Sequence, residues 1–389
     1  MSSILIDLSY INSEEKKRES ISLYALRILN GFKFYKINNI SLLVAEEMRY
    51  FFELEYSFFD IIIYSKYNRL LNCIPYFKGI YKMYFWRRYI NRLDYSVVYI
   101  PFSWTGNALK IRMKKVITIH DLRPMRELHG AFANSLLFRF LKLNSLISKI
   151  FRFYFRLQII NADHIISISN YVKNDILGEW KQININKITT IYNGVVLASH
   201  ALRPKIVIQQ PFILYVNSLS SYKNIQTLIR AFIKIQIQIP HSIVVVGKTT
   251  SYWEDIVYEE IKKAHIEKRV MHIEYSSDEE LKWLYKNASL FMTTSTREGF
   301  GYTPIEAAIC KCPVISTLAE SLPEVTQNLL NYYNPPCADD KLSILVCEIL
   351  LKKSSQEQLA FISECYRKCY NYKEKSHEIY VLINKLFST

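Results

Sequence analysis

Residues 295–307, S-T-R-E-G-F-G-Y-T-P-I-E-A, hold two glutamates, Glu298 and Glu306, with seven residues between them. A short glycine-bearing loop, Gly299-Phe300-Gly301, follows the first glutamate and leads through Tyr302 into a helix start. The apolar run before it, 288–292, is short enough for a buried strand. A strand, a glycine loop and a helix N-terminus together suit an anion, because free backbone N–H groups and the helix dipole point at it. A carboxylate beside a phosphate would repel it unless it faced sugar hydroxyls. The pair therefore suits a ligand with both phosphate and polyol parts. Glu306 also has a plainer reading. Thr303-Pro304-Ile305-Glu306 has the form of a capping box with proline at the first helical position, where the glutamate only reaches back to the cap N–H.

Two more residues could join this chemistry. Lys223 lies in the turn after the apolar run 212–216, where a lysine can reach a phosphate, although an isolated turn lysine is more often solvent-exposed. His120 closes the run 116–120, at the carboxyl end of a strand, where sites of parallel sheets form. Asp121 either orients the His120 ring through its second nitrogen or caps the following loop.

Positioning these residues requires strands and helices in alternation. In the first half, strand-like runs fall at 4–8, 40–44, 60–64, 96–100, 116–120, 164–169 and 188–192, with helical stretches such as 20–31 and 136–160 between them. A linker covers 197–210. A second series follows, with strands at 212–216, 242–246, 270–274, 288–292 and 313–316. Its helices fall at 224–237, 253–265 and 278–286, the last opened by a Ser277/Glu280 capping box, and Ser321-Leu322-Pro323-Glu324 reads as another box. The final helix carries Ile379, Leu382, Ile383 and Leu386 as one apolar stripe. The expected fold class is α/β, with two Rossmann-like doubly wound domains, 1–200 and 211–389, facing a central cleft. The last helix is expected to pack back on the first domain.

Composition agrees with two cores. The chain has 389 residues, half of them apolar. No run of about 18 uncharged apolar residues occurs, and the N-terminus lacks the basic start and apolar core of a signal peptide, so a cytoplasmic location is expected. The seven cysteines are odd in number, and all but Cys73 lie at or beyond Cys310, which argues against a disulfide framework. Cys310/Cys312 and Cys365/Cys369 lack the second pair of a zinc site.

The net charge of +15 is unevenly placed. Residues 1–200 carry 28 Lys/Arg against 15 Asp/Glu, and residues 201–389 carry 22 against 20. Between 61 and 93 there are seven Lys/Arg and no acid, with the cluster Tyr84-Phe85-Trp86-Arg87-Arg88-Tyr89; between 138 and 156 there are five more, again with no acid. Bases interleaved with aromatics fit an anionic membrane surface, a helix with an apolar core face and a solvated basic face, or nucleic acid. No recognised nucleic-acid motif accompanies the charge, and no nucleic-acid partner is expected.

The stretch 298–306 resembles the E-x7-E motif of retaining glycosyltransferases of the group 1, or family 4, type, which have the GT-B fold. The likeness continues through Leu214-Tyr215-Val216-Asn217-Ser218 to Lys223-Asn224, Val244-Val245-Val246-Gly247-Lys248, 277–284, Cys312-Pro313-Val314-Ile315 and 321–325. In the first half, Thr118-Ile119-His120-Asp121-Leu122, Ser167-Ile168-Ser169-Asn170-Tyr171 and Asn193-Gly194-Val195 resemble the family's weaker marks.

The resemblance implies a metal-independent hexosyltransferase that binds a nucleotide-sugar mostly on its second domain. Glu298 would then bond the donor sugar's hydroxyls, Glu306 the ribose hydroxyls, and Lys223 the diphosphate. The amides of Gly299, Phe300, Gly301 and Tyr302 would meet phosphate and sugar, and His120 would face the sugar near the reacting carbon. Among family members the second domain looks most like the mannosyltransferases, which implies GDP-mannose as donor, with a UDP-sugar as the alternative. The acceptor implied is a lipid-linked oligosaccharide of bacterial surface polysaccharide, O-antigen or capsule, with the protein peripheral on the inner membrane face. A GT-B accessory or binding subunit that has lost transfer is the competing class. Three positions depart from the family pattern: Asn217 replaces a glycine, Tyr222 replaces an arginine, and Ser20-Ile21-Ser22-Leu23-Tyr24 lacks the glycines of an N-terminal loop. Arg297 or Lys248 is the expected substitute for the absent arginine.

Overall fold

The computed structural model describes residues 4–64, 77–103, 107–126, 143–352 and 354–386. The chain divides into two compact units, residues 1–194 with 372–389, and residues 195–371. The boundary falls at Gly194–Val195, just ahead of the expected linker, and the second unit ends at Asn371 where the chain re-enters the first.

The first unit is built on a seven-stranded sheet in the order β3-β2-β1-β4-β5-β6-β7. Its strands are β1 (Ile4–Asp7), β2 (Ile40–Ala45), β3 (Asp60–Tyr64), β4 (Val97–Ile100), β5 (Lys114–Ile119), β6 (His164–Ser167) and β7 (Ile188–Thr190). Every pairing is parallel, with Ile4 of β1 beside Ile40 of β2 on one side and Val97 of β4 on the other. The branched apolar runs seen in the sequence form these strands because a parallel sheet covered by helices buries both faces. β1, β2 and β4 are buried along their whole lengths.

The helix Tyr372–Lys385 packs against the helix Ser20–Phe34 in this unit. Ile379 and Ile383 are its buried contacts, while Leu382 and Leu386 of the expected stripe are half-buried. The approach is close at Gly31, where a Cβ would stand 2.2 Å from Ser376 Oγ. No larger residue fits there without shifting the helix.

The second unit has a six-stranded parallel sheet in the order β10-β9-β8-β11-β12-β13. Its strands are β8 (Phe212–Val216), β9 (Ser242–Val246), β10 (Val270–Ile273), β11 (Leu290–Met292), β12 (Val314–Thr317) and β13 (Asn331–Tyr333). The helix Ile225–Ile235 follows β8 and buries Ile225, Leu228, Ile229, Phe232 and Ile235, the one-sided spacing that packs a helix on a sheet. At about 1.5–3 kcal/mol per fully buried large apolar side chain, this stripe and its sheet partners are what fix the turn preceding the helix.

Both sheets reverse their strand order next to their first strand, at β1/β4 and at β8/β11. Crevices beyond the carboxyl ends of strands at such points are where ligands of doubly wound sheets bind.

Candidate functional site

In the second unit, β8 and β11 deliver the candidate residues to the two sides of that switch point. After β8 the chain turns at Asn217, whose N–H donates to Val246 O at 3.1 Å. The neighbouring turn after β9 contains Gly247, where a Cβ would stand 2.0 Å from Asn217 O. Gly247 thus lets the Asn217 backbone approach closely, whatever side chain position 217 carries.

A short turn, Ser221–Lys223, then ends at Asn224 with φ 54°, a left-handed conformation that asparagine tolerates better than most residues. The Lys223 carbonyl accepts from Tyr215 Oη and from Thr294 Oγ1, each at 3.0 Å. Two buried hydroxyls therefore pin the lysine backbone. Its Nζ lies 2.6 Å from Glu298 Oε1, and both residues are only 8 % exposed. Lys223 is thus not the exposed turn lysine that its sequence position alone would suggest.

Glu298 is held from every side. Its Oε1 also accepts from Ser295 Oγ at 2.9 Å, and its N–H donates to Glu320 Oε2 at 2.6 Å. Its carbonyl accepts from Ser321 Oγ at 2.7 Å. The box expected at 321–324 does not form as such: the Ser321 hydroxyl makes this bond and no side-chain cap.

The helix carrying Glu306 starts earlier than T-P-I-E suggests. It spans Tyr302–Ile309 behind Gly301, whose φ of 89° belongs to the left-handed region, and no side chain caps it. A Cβ on Gly301 would also stand 2.5 Å from Leu322 Cδ2. Thr303 and Pro304 are inside the helix, and Glu306 is its fifth residue rather than a capping-box partner. This corrects the plainer reading of Glu306. Its buried carboxylate instead accepts from Tyr285 Oη at 3.1 Å, and burial pushes the Tyr285 phenol well above its ordinary pKa.

The loop between the glutamates places Gly299 and Gly301 on either side of Phe300, whose ring is buried edge-on against Tyr370 with centroids 5.5 Å apart. The Phe300 ring is thus taken up by packing inside the unit. Tyr302 stacks at an angle beside it, centroids 5.1 Å apart. Lys248 and Arg297 are exposed and follow the carboxyl ends of β9 and β11. Tyr222, in place of the family's arginine, sets its ring 5.3 Å from Lys223 Nζ, a cation–π contact. Among the described residues no group of three or more His, Cys, Asp or Glu is arranged to hold a metal ion.

His120 belongs to the first unit and follows β5. Its Nε2 lies 2.9 Å from the Pro101 carbonyl, so Nε2 carries the proton and Nδ1 presents a lone pair. Burial lowers the imidazole pKa, which keeps the ring neutral. Tyr24 meets it edge-on at 4.8 Å, and the Tyr24 hydroxyl joins Tyr99 and Thr118 in a buried triad. Of the two readings of Asp121, the loop cap is the one observed, since its carboxylate accepts from Arg123 N and Nε, both at 2.9 Å. The Pro101 carbonyl orients the histidine.

Five residues without a site role in the sequence reading emerge here: Ser295, Glu320, Ser321, Tyr285 and Tyr24. Only Ser295, three residues before Glu298, had a local signal. The arrangement offers a buried ammonium, two buried carboxylates and a helix start that no side chain caps. Chemically, carboxylates can accept hydrogen bonds from hydroxyls and an ammonium can donate them to phosphate oxygens.

A family model described as glycosyl transferases group 1 matches residues 200–363, and one described as glycosyltransferase family 4 matches 49–199. The O-antigen chain mannosyltransferase RfbU of Salmonella typhimurium is 28% identical over 243 residues, 61% of each chain. O-antigen chain mannosyltransferase B of Escherichia coli is 30% identical over 119 residues, 30% of this chain and 31% of that one. The matches thus span less than two thirds of these relatives' lengths. Among solved structures, sucrose-phosphate synthase from Thermosynechococcus elongatus superposes with TM-score 0.70 at 15% identity, covering both chains fully. Anabaena Alr3699/HepE in complex with UDP gives 0.68 at 15% identity, covering 99% of this chain and all of that one.

Proposed function

Because the chain belongs to the group 1 glycosyltransferases and has their GT-B type of fold, we propose that it transfers a hexose with retention, mannose from GDP-mannose first, to a lipid-linked oligosaccharide of O-antigen or capsule type. The observation that carries this reading is the buried Lys223–Glu298 pair beside the uncapped helix start at Gly301. A carboxylate next to a phosphate site repels its ligand only if its charge is uncompensated, and here Lys223 compensates it. A diphosphate entering the site competes for the ammonium, and the released carboxylate then accepts from sugar hydroxyls. Glu306, already bonded to Tyr285, is set to accept from ribose hydroxyls.

As the sugar–phosphate bond breaks, new charge gathers on the departing diphosphate. The Lys223 ammonium and the amides of Gly299 to Tyr302 are fixed before that charge develops, which is how such donors lower a barrier. The missing arginine at Tyr222 removes one charged hydrogen bond, a loss of about 1.5–3 kcal/mol unless Arg297 or Lys248 supplies it. No metal is needed in this scheme.

The relatives named O-antigen chain mannosyltransferases support the mannosyl donor and the surface-polysaccharide acceptor. The neighbour solved with UDP favours the second reading, a UDP-sugar donor. The basic, aromatic first half supports a peripheral position on an anionic inner leaflet; among the described residues no helix is long and apolar enough to cross a membrane. Thermal-shift titration with GDP-mannose and UDP-hexoses decides between the donors. A ligand at about a hundred times its dissociation constant stabilises by about 2.7 kcal/mol. Stabilisation by GDP-mannose alone supports the first reading, and by UDP-sugars alone the second. Stabilisation without turnover on any lipid-linked acceptor points to an accessory subunit.

A further inference from the structure

The last turn of the helix Phe77–Ile90, the loop leading from it into β4, and the approach to β5 together form a surface pocket of about 470 Å³. Its walls are Tyr84, Arg87, Arg88, Asn91, Arg92 and Arg112, four arginines and no carboxylate. Two hydrogen bonds build the pocket: Arg87 Nε donates to Lys110 O at 2.9 Å, and the Arg112 N–H donates to Asn91 Oδ1 at 2.9 Å. Arg88, Arg92 and Arg112 have no acidic partner among the described residues.

The contrast with the second basic segment is informative. There Arg152 is bonded to Glu179, and nearby Arg126 lies 2.7 Å from Asp175. That segment's charge is partly spent within the fold, whereas the pocket's charge is not. Convergent guanidinium groups with no internal anion suit phosphate oxygens, which they bond two at a time. The pocket is also remote from His120. Arg112 precedes β5 and His120 follows it, with six residues of strand, roughly 20 Å, between them. A phosphate bound here is therefore not that of a sugar donor near His120. Tyr84 at the rim is 51 % exposed, an amphipathic ring of the kind that settles at a lipid–water boundary.

We infer that this pocket takes the headgroup phosphate of an anionic phospholipid and seats the first unit on an anionic bilayer. The inference rests on the membrane-surface reading above and gives it a particular site. The test is flotation of the full chain with phosphatidylglycerol-containing vesicles and with pure phosphatidylcholine vesicles, alongside titration with inorganic pyrophosphate. Three proteins are compared: wild type, the triple variant Arg88→Gln/Arg92→Gln/Arg112→Gln, and the control Arg152→Gln/Arg156→Gln, with melting curves to confirm that each is folded. The triple variant Arg88→Lys/Arg92→Lys/Arg112→Lys keeps the charge and serves if the glutamine triple does not fold.

The expected result is preferential binding of wild type to the anionic vesicles, weakened at least tenfold in the glutamine triple and several-fold in the lysine triple, with the control close to wild type. Undiminished binding by the arginine-pocket variants, or loss only in the control, overturns the pocket while leaving a membrane role standing. Failure of wild type to prefer anionic vesicles overturns both readings. Arginine-dependent binding of pyrophosphate without vesicle binding overturns the lipid assignment in favour of a soluble phosphate.

Discussion

At the β8/β11 switch point a buried ammonium meets a buried carboxylate at 2.6 Å, with a second buried carboxylate eight residues further along. At the β1/β4 switch point the fold has the same strand order but different furnishing. Asp7, at the end of β1, is fully buried, and its oxygens take up Trp86 Nε1 at 2.8 Å and Ser9 Oγ at 2.6 Å. The other polar groups at the ends of these strands are neutral: His120, whose ring burial keeps uncharged, and the buried hydroxyls of Tyr24, Tyr99 and Thr118, bonded to one another. One switch point carries a buried ion pair, and the other a buried carboxylate bonded to neutral donors beside a neutral histidine. Strand order supplies the place, and the side chains decide the chemistry.

The largest effect is expected where the comparison is sharpest. Lys223→Ala leaves Glu298 buried without its cation, a loss of about 3–5 kcal/mol in stability by denaturant unfolding, together with transfer. The double variant Lys223→Met/Glu298→Leu removes both charges and should recover most of that stability while remaining inactive. If it regains activity, the charged pair is structural only and the contrast between the two switch points loses its functional meaning. Glu298→Gln keeps shape and burial. It should lower kcat/KM for donor by about 100-fold if Glu298 holds the donor sugar's hydroxyls. It should also lower stability, by less than Lys223→Ala does, because Lys223 stays buried with a neutral amide oxygen in place of its carboxylate.

How much of this could be read from the sequence follows from the range of each interaction. The twelve strand runs expected from the sequence all became strands, because branched apolar residues bounded by turns are a local signal. β13 was missed: Asn331–Tyr333 is three residues long and opens on a polar one. The Ser277/Glu280 box was read correctly, with both of its hydrogen bonds present. The two boxes at Thr303 and Ser321 were not, because the same letters serve other ends when a positive-φ glycine starts the helix first, or when a carbonyl such as that of Glu298 takes the hydroxyl. The Lys223–Glu298 contact joins residues 75 apart in sequence. It could be foreseen only from the strand order, which puts the ends of β8 and β11 side by side. Tyr285 lies in the helix expected at 278–286, and nothing local marks its hydroxyl as the partner of Glu306.

Lys115 tests the uncharged character of the first sheet. It is fully buried at the start of β5, its Nζ donating to Asn107 O at 2.9 Å and Leu109 O at 3.0 Å. Burial lowers its pKa to about 7 from 10.5. The folded state therefore holds fewer protons than the unfolded chain between about pH 7 and 10.5, so stability should rise with pH across that window. Below pH 7 both states are protonated, and the cost of the buried charge is fully present. The slope is at most about 1.4 kcal/mol per pH unit. Denaturant unfolding of wild type and Lys115→Met from pH 7 to 9 should show the slope in the first and its loss in the second. An equal slope in both would mean that Lys115 keeps its charge inside the fold.

The smallest effect separates the two glutamates of the second unit. Glu298 is held by a cation, but Glu306 by a phenol that is itself fully buried and remains protonated. Tyr285→Phe removes one hydrogen bond without changing shape, which should lower stability by about 0.5–1.5 kcal/mol. If Glu306 meets ribose hydroxyls, its carboxylate then loses its orienting partner, and the dissociation constant for a nucleoside diphosphate should rise several-fold. The same constant measured with a ligand lacking the ribose hydroxyls should not move. A change of equal size with both ligands would show that Tyr285 supports the helix Tyr302–Ile309 as a whole, and that Glu306 acts as packing rather than as a ribose contact.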